Sequence, residues 1–333
     1  MDRSDFELNV TLHLPEQGKN TMAIIRFVPN LHKYRPPDVP VPLNGFDPDG
    51  PWQMVPYKGT RYFHLEVIGV SSWSVKSDNP SIATVSRVQQ YGGVDQDQNN
   101  VYQVDGLHKG STFLVARGPN KEQLGRIEIE VKLQRKLFIR FFLVSDNAGH
   151  KTTFTDADTK SWTEFINDKV FEPQINVRFQ YLSTGNIKIN EDLGDRIDFE
   201  AIGDMPFVRR EGKAGRVWHE ITDAGMYDAH VFNVFCVWDF INNSTIEGAE
   251  NVAFVSSKFH ITADEMEKSG VTYNMCMLKQ KISERSYFKY VLAHEVGHYL
   301  NRLPFHTEKE ELLMTPGTAG IVLLKGDARR MNP

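Results

Sequence analysis

The sequence predicts two domains in series, an all-β sandwich over residues 1–134 and a domain of mixed strands and helices over residues 135–333. Three observations lead there. Before residue 134 the chain reads as short apolar and polar alternations broken by turn residues, the pattern of half-buried strands. After a polar seam at Gln134-Arg135-Lys136, longer apolar runs alternate with stretches of helical period. At 333 residues the chain is long enough to bury two cores of ordinary size.

In the first domain, strands are expected at 6–14, 21–28, 62–70, 72–75, 82–88, 101–104, 112–116 and 127–133, separated by turn signals. Residues 36–56 carry seven prolines, which predicts a long loop rather than a proline-rich ligand. Within residues 72–133, Ser72-Trp73-Ser74-Val75-Lys76-Ser77-Asp78-Asn79-Pro80-Ser81-Ile82-Ala83-Thr84-Val85 and then Val104-Asp105-Gly106-Leu107-His108-Lys109-Gly110-Ser111-Thr112-Phe113-Leu114-Val115-Ala116-Arg117 resemble the bacterial Ig-like domains. The resemblance implies a sandwich with Trp73 as its buried tryptophan and turns at Asn79-Pro80 and Lys109-Gly110. It also implies a module that holds, spaces or binds, with a secretion or surface partner, and that catalysis does not need.

In the second domain, residues 137–144 read as a central strand, 160–171 as an amphipathic helix and 175–182 as a second strand. Further strands are expected at 230–238, 252–257 and 271–278. Residues 183–228, rich in charge and carrying Gly185, Gly194, Gly203, Gly212, Gly215 and Gly225, read as an irregular insertion that lines or caps a cleft. Cys236 and Cys276 lie in apolar strand contexts and read as buried thiols, or as a disulfide if their strands are neighbours.

The chemistry is concentrated in His294-Glu295-Val296-Gly297-His298. Residues i and i+4 of a helix stand on one face, so both imidazoles reach a single cation, and the carboxylate beside the first faces its water. Zinc lowers the pKa of such a water to about 7, and the carboxylate takes its proton during attack on a carbonyl. Tyr287, Phe288, Val291 and Leu292 recur at helical spacing before the motif, with Ser283 or Ser286 available as a cap. The implied reaction is metal-assisted hydrolysis, with Zn2+ as cofactor and Glu295 as general base.

Three protein ligands plus water make the usual open zinc site, so a third ligand is required. His294, Glu295 and His298, followed by Leu313-Met314-Thr315-Pro316, resemble the metzincin zinc peptidases, whose signature runs HExxHxxGxxH to a methionine turn beneath the metal. Asn301 stands where the family has glycine, and asparagine is the next most tolerant residue of a left-handed turn. Pro304 occupies the third-histidine position, and His306 two residues later is assigned as the third ligand. Glu308, Glu310 and Glu311 crowd the helix end and only Asp327 follows, so a downstream acidic ligand is poorly served. His230 and His260 are the reserve ligands, and His219-Glu220 reads as surface.

The resemblance further implies an α+β zincin fold, Met314 as a support below the metal, and residues 252–257 as the antiparallel cleft edge that binds a peptide substrate by adding a strand. Pro316 stands where some metzincins have a tyrosine, which leaves the oxyanion stabiliser unassigned. The expected activity is a zinc metalloendopeptidase acting on protein or peptide. The alternative is a binding or adhesion protein with a degenerate zincin domain, the departures at Asn301 and Pro304 being its signs.

Composition narrows the classes that remain. A net charge of −5 with no basic stripe excludes a nucleic-acid footprint, and no apolar run reaches the ~20 residues of a membrane span. The opening Met1-Asp2-Arg3-Ser4-Asp5 lacks the basic and apolar segments of a signal peptide, so the protein is expected in the cytoplasm as made, or exported by a leaderless route as a bacterial effector or toxin.

Overall fold

The computed structural model describes residues 23–29, 45–47, 50–88, 100–202, 205–207, 217, 231–242, 254–255, 275–279, 288–301, 312–314 and 320–333. The fold is β-rich and multidomain. Two facing sheets form the N-terminal sandwich. One has the order β1 (Ile24–Pro29), β4 (Thr60–Ile68), β7 (Val101–Gly106), β6 (Ala83–Arg87). The other has the order β2 (Phe46–Asp47), β3 (Trp52–Pro56), β9 (Gln123–Lys132), β8 (Gly110–Arg117), β5 (Ser74–Ser77). Alternation along β4, β8 and β9 sends Phe63, Leu65, Leu114, Ile127 and Ile129 into a shared core.

Two expectations for this region are corrected. The proline-rich segment 36–56 is not all loop, because β2 and β3 lie within it; Pro51 and Pro56 sit at strand ends, where a missing N–H costs no ladder bond. Trp73 is only half-buried, its indole N–H donating to the Tyr102 hydroxyl at 3.0 Å. The fully buried tryptophan is Trp52 on β3. The strand expected at 6–14 lies outside the described residues.

Trp52 and Met54 point away from the sandwich, into the core of the second domain beside Phe171 and Ile175, while Val55 points back into the sandwich. β3 is therefore buried on both faces. Around it, Glu130 accepts from the Trp52 indole at 3.0 Å and pairs with Lys132 at 2.8 Å and Arg329 at 3.0 Å. Burial pushes the Glu130 carboxyl up, but these bonds outweigh it and hold the group below its ordinary value. Neighbouring Glu128 takes Lys325 at 2.5 Å and Arg329 at 2.6 Å from the last helix.

The second domain is built on a five-stranded sheet of order β11 (Val177–Lys188), β10 (Arg135–Ser145), β14 (Val231–Val237), β17 (Met275–Lys279), β16 (Phe254–Val255). The first four run parallel and β16 is antiparallel at the end of that order. One face, with Phe141, Phe179, Val234 and Leu278, packs on the helices. The other, with Phe142, Val144, Phe235 and Val237, packs on Ile189, Leu193 and Ile197. The stretch 183–228 is less irregular than expected: β11 runs on to Lys188, and β12 (Ile197–Ile202) joins β13 (Met205–Phe207) and β15 (Phe240–Asn242) in a small sheet.

Helix α1 (Asp156–Phe165) begins earlier than periodicity predicts, because Thr155 and Asp158 form a capping box. It continues through a π-helical stretch (Ile166–Phe171) into the single turn α2 (Glu172–Ile175), which ends at Asn176 in the left-handed region, φ 56°. The wider π turn aims Asn167 at β11, where its amide exchanges hydrogen bonds of 2.7 and 2.8 Å with the Phe179 backbone. Helices α3 (Phe288–Asn301) and α4 (Lys325–Met331) complete this layer. Among the described residues no helix is long and apolar enough to cross a membrane.

Cys236 and Cys276 are buried free thiols. Cys236 lies opposite Leu278 and Cys276 opposite Val234, two residues out of register on adjacent strands. Strand spacing and rise then separate their Cα atoms by about 8 Å, beyond the ~7 Å a disulfide spans.

Because Trp52 belongs to the core beneath the second sheet, Trp52→Ala is expected to cost about 3–5 kcal/mol and to shift the denaturant midpoint of both units together. Separate transitions with the second-domain midpoint unmoved would show that β3 does not join the two cores.

Candidate metal centre

Helix α3 carries the HExxH residues. Its apolar positions Phe288, Leu292, Ala293, Val296 and Leu300 enter the core, and Tyr299 packs on Phe232 with ring centroids 5.0 Å apart. Tyr287 and the two serines expected to cap the helix lie outside the described residues. His294 is half-buried, His298 is 8% exposed and Glu295 is 4% exposed. The two imidazoles stand edge to face, centroids 4.8 Å apart and planes at 87°, as the i, i+4 spacing requires.

The Nδ1 of His294 lies 2.8 Å from the backbone oxygen of Leu313. A carbonyl only accepts, so in this contact Nδ1 carries the proton and donates. Leu313 is itself held, its N–H donating to Val322 at 2.9 Å beside a Leu312 to Val322 bridge. Met314 follows, buried against the helix. A Cβ built on Gly297 would meet the Met314 sulfur at 2.5 Å and Leu313 Cδ2 at 3.2 Å. A methyl group at 297 would therefore force the Met314 side chain to shift.

Burial holds the Glu295 carboxyl well above its ordinary value of 4.5, and no ion pair offsets this among the described residues. The thiol of Cys276 is pushed up by burial and then by the charge of Glu295, and Cys236 by burial, so both are unreactive. Asn301 is not a turn residue: it is helical in α3, and its Oδ1 accepts from Arg330 Nε on α4 at 3.2 Å.

The structure brings together His294, Glu295, His298 and Met314. His306, Thr315, Pro316, His219, Glu220, His230 and His260 lie outside the described residues, as do Pro304, Glu308, Glu310 and Glu311.

A second polar cluster, at the end of β10, was not anticipated from sequence. Asp146, His150 and Asp192 bring their ligand atoms within 4.8 Å of one another. Asp146 organises the loops: Oδ1 accepts from the N–H of Ala148 at 3.0 Å and His150 at 2.9 Å, and Oδ2 from Leu193 N–H at 3.0 Å and His150 Nδ1 at 2.8 Å. His150 reaches Asp195 through Nε2 at 3.2 Å and stacks on Trp238 at 5.4 Å. Nδ1 donates to a carboxylate that already takes three backbone bonds, an arrangement that suits a protonated imidazole. The signal was the Asp146-Asn147-Ala148-Gly149-His150 turn, which looks like an ordinary loop until 190–196 folds beside it.

Its pH response follows from the bonds. Asp146 raises the pKa of His150 above 6.5, chiefly through their hydrogen bond. Burial pushes the Asp146 carboxyl up, but the bonds from His150 and Leu193 hold it below 3.8. The histidine's contribution is complete below 6.5 and is lost as pH rises through its raised value. The aspartate's is complete above 3.8 and is lost as pH falls through its depressed value. The clasp is therefore strongest between 3.8 and 6.5, and amide exchange in residues 146–151 and 190–196 is expected to be slowest there after correction for intrinsic rates. A flat profile, or one unchanged by His150→Gln, would contradict it.

The contact of Gly297 with Met314 makes its own prediction. Gly297→Ala is expected to cost about 1–3 kcal/mol, and adding Met314→Ala should remove part of that cost in a double-mutant cycle. Additive losses would place the methionine away from the helix.

No protein-family profile matches the chain, and no curated protein matches it. Among solved structures it is similar to domains 5-6 of the S-layer protein SbsC, at 19% identity over 26% of this chain and 39% of that one, TM-score 0.20. It is also similar to domains 4 and 5 of the same S-layer protein, at 21% identity over 23% of this chain and 40% of that one, TM-score 0.17. The chain thus spans about two fifths of the length of these structures.

Proposed function

We propose that the chain is a zinc-dependent endopeptidase, an α+β metzincin-like catalytic domain behind an Ig-like sandwich, with His294, His298 and His306 as ligands and Glu295 as general base. The observation that carries the reading is the contact of His294 Nδ1 with a backbone carbonyl at 2.8 Å, made by the segment that also sets Met314 against Gly297.

The residues present fit a divalent cation. His294 turns Nδ1 to a backbone carbonyl, which directs Nε2 to serve as the ligand atom, His298 lies beside it, and Glu295 is a buried carboxyl with no compensating charge among the described residues. Zinc supplies a coordinated water of pKa about 7 and polarises a carbonyl oxygen. Glu295, one residue along from His294, receives the proton of the attacking water and returns it to the departing amine. A positive charge nearby would draw its pKa down from the raised value toward the range a base needs. The antiparallel strand β16, last in the sheet among the described residues, supports an extended peptide as substrate, since such a strand accepts another by backbone pairing.

Metal analysis and hydrolysis of an unfolded protein, read on the same samples, test this. Wild type is expected to carry one zinc and to cleave. Glu295→Gln should keep the zinc and lose activity by roughly 10²–10⁴-fold, and His306→Ala should lose zinc and activity together. A zinc-loaded but inert wild type would favour the binding-protein alternative. Full zinc retention by His306→Ala would remove His306 from the ligand set.

A further inference from the structure

Gln174, on the single turn α2, is fully buried and far along the chain from the HExxH helix. Its amide nitrogen donates to the backbone oxygens of Val170 at 2.9 Å and Ile321 at 2.7 Å, and its Oε1 accepts from Leu323 N–H at 2.9 Å. It thus clamps residues 321–323 from both sides of Val322. Val322 in turn accepts from Leu313 N–H, and the Leu313 oxygen fixes His294. A continuous path of hydrogen bonds leads from α2 to the ring that presents Nε2.

The sandwich bears on the start of this path. Gly45 has φ +76°, and a Cβ there would meet the backbone oxygen of Gln174 at 2.5 Å and Met54 Cβ at 2.8 Å. The oxygen of Gly45 accepts from Met54 N–H at 2.8 Å, which ties the glycine to β3. Backbone of the first domain therefore lies directly against the residue from which the 321–323 segment is hung.

We propose that Gln174 is a positioning residue for His294, and that the β-sandwich, through Gly45, is a structural part of the metal centre rather than an appended module. This rests on the reading of His294 as a metal ligand. Gln174 touches neither metal nor substrate. It acts by holding the carbonyl that selects the imidazole tautomer, the kind of outer contact whose loss weakens metal affinity by 10–100-fold.

The test uses the full chain and two readouts. Co2+ affinity and the visible absorption of the Co2+-substituted protein report the ligand field, and ¹⁵N shifts of the His294 ring in metal-free protein report the tautomer. Gln174→Met, which keeps volume and loses all three bonds, is expected to weaken Co2+ by about 10-fold or more, to alter the spectrum, and to mix the tautomers. Gly45→Ala should move both readouts in the same direction. Phe63→Leu, in the sandwich core away from this path, lowers stability and should move neither, which separates positioning from loss of fold. Wild-type Co2+ affinity and a single Nδ1-protonated tautomer in Gln174→Met would overturn the proposal. Absence of Co2+ and Zn2+ binding by wild type would instead remove the peptidase reading, while the tautomer measurement still decides the path.

Discussion

The double-sided burial of β3 is the constraint on which the rest of the molecule depends. A strand normally gives one face to a core and the other to solvent, or lies inside one layered domain. Here Val55 completes the sandwich while Trp52 and Met54 complete the layer of helices beneath the second sheet. Neither core is finished without the same five residues, so the seam after residue 134 is a boundary in the sequence pattern and not in the packing. The acidic residues of β9 add polar specificity to that apolar join. Glu128 and Glu130 receive Lys325 and Arg329 from α4, and the partly buried Glu130 keeps its charge because three donors converge on it.

The candidate metal centre inherits this arrangement. Its helix is buried almost all round, so the histidines are held by packing at Leu292, Val296 and Leu300 and leave little rotational freedom to the chain that bears them. What the helix cannot fix, the orientation of the His294 ring, is fixed from outside. His294 is aimed by Leu313, and the space for Met314 exists because residue 297 has no side chain. These contacts come from segments with little regular structure. The 321–323 segment is held by the buried amide of Gln174, and a second buried amide, Asn332, donates to the backbone oxygens of Ile175 at 2.7 Å and Leu133 at 3.1 Å.

Much of this was legible in the sequence, and the divide follows physical lines. The motif helix, the parallel strands and the alternating sandwich strands carry their period in their own residues, and they lie close to where pattern places them. β2 and β3 were hidden because proline content was read as loop, whereas Pro51 and Pro56 fall at strand ends where a missing N–H is harmless. The buried tryptophan is hidden for a related reason: Trp73 fits a sandwich pattern, but the burial of Trp52 arises from a domain contact that no local period reports. The carbonyl that orients His294, the Gln174 clamp and the Asp146–His150 clasp join residues far apart in sequence, through backbone groups that every residue has. Nothing in the amino-acid pattern marks them.

The ties from α4 to the sandwich also set an order of events. Lys325 N–H donates to the Asp47 carboxylate, 278 residues earlier, and the Arg329–Glu128 and Lys132–Asn332 contacts span 201 and 200 residues. Contacts of such separation form late and slowly, since a long loop must close before any of them is gained. During synthesis, the sandwich strands and the central sheet emerge before the segment that orients His294 and before the helix that closes the seam. The motif helix consequently acquires its surroundings only after both sheets have left the ribosome, so the ordering of His294 follows the folding of the sheets.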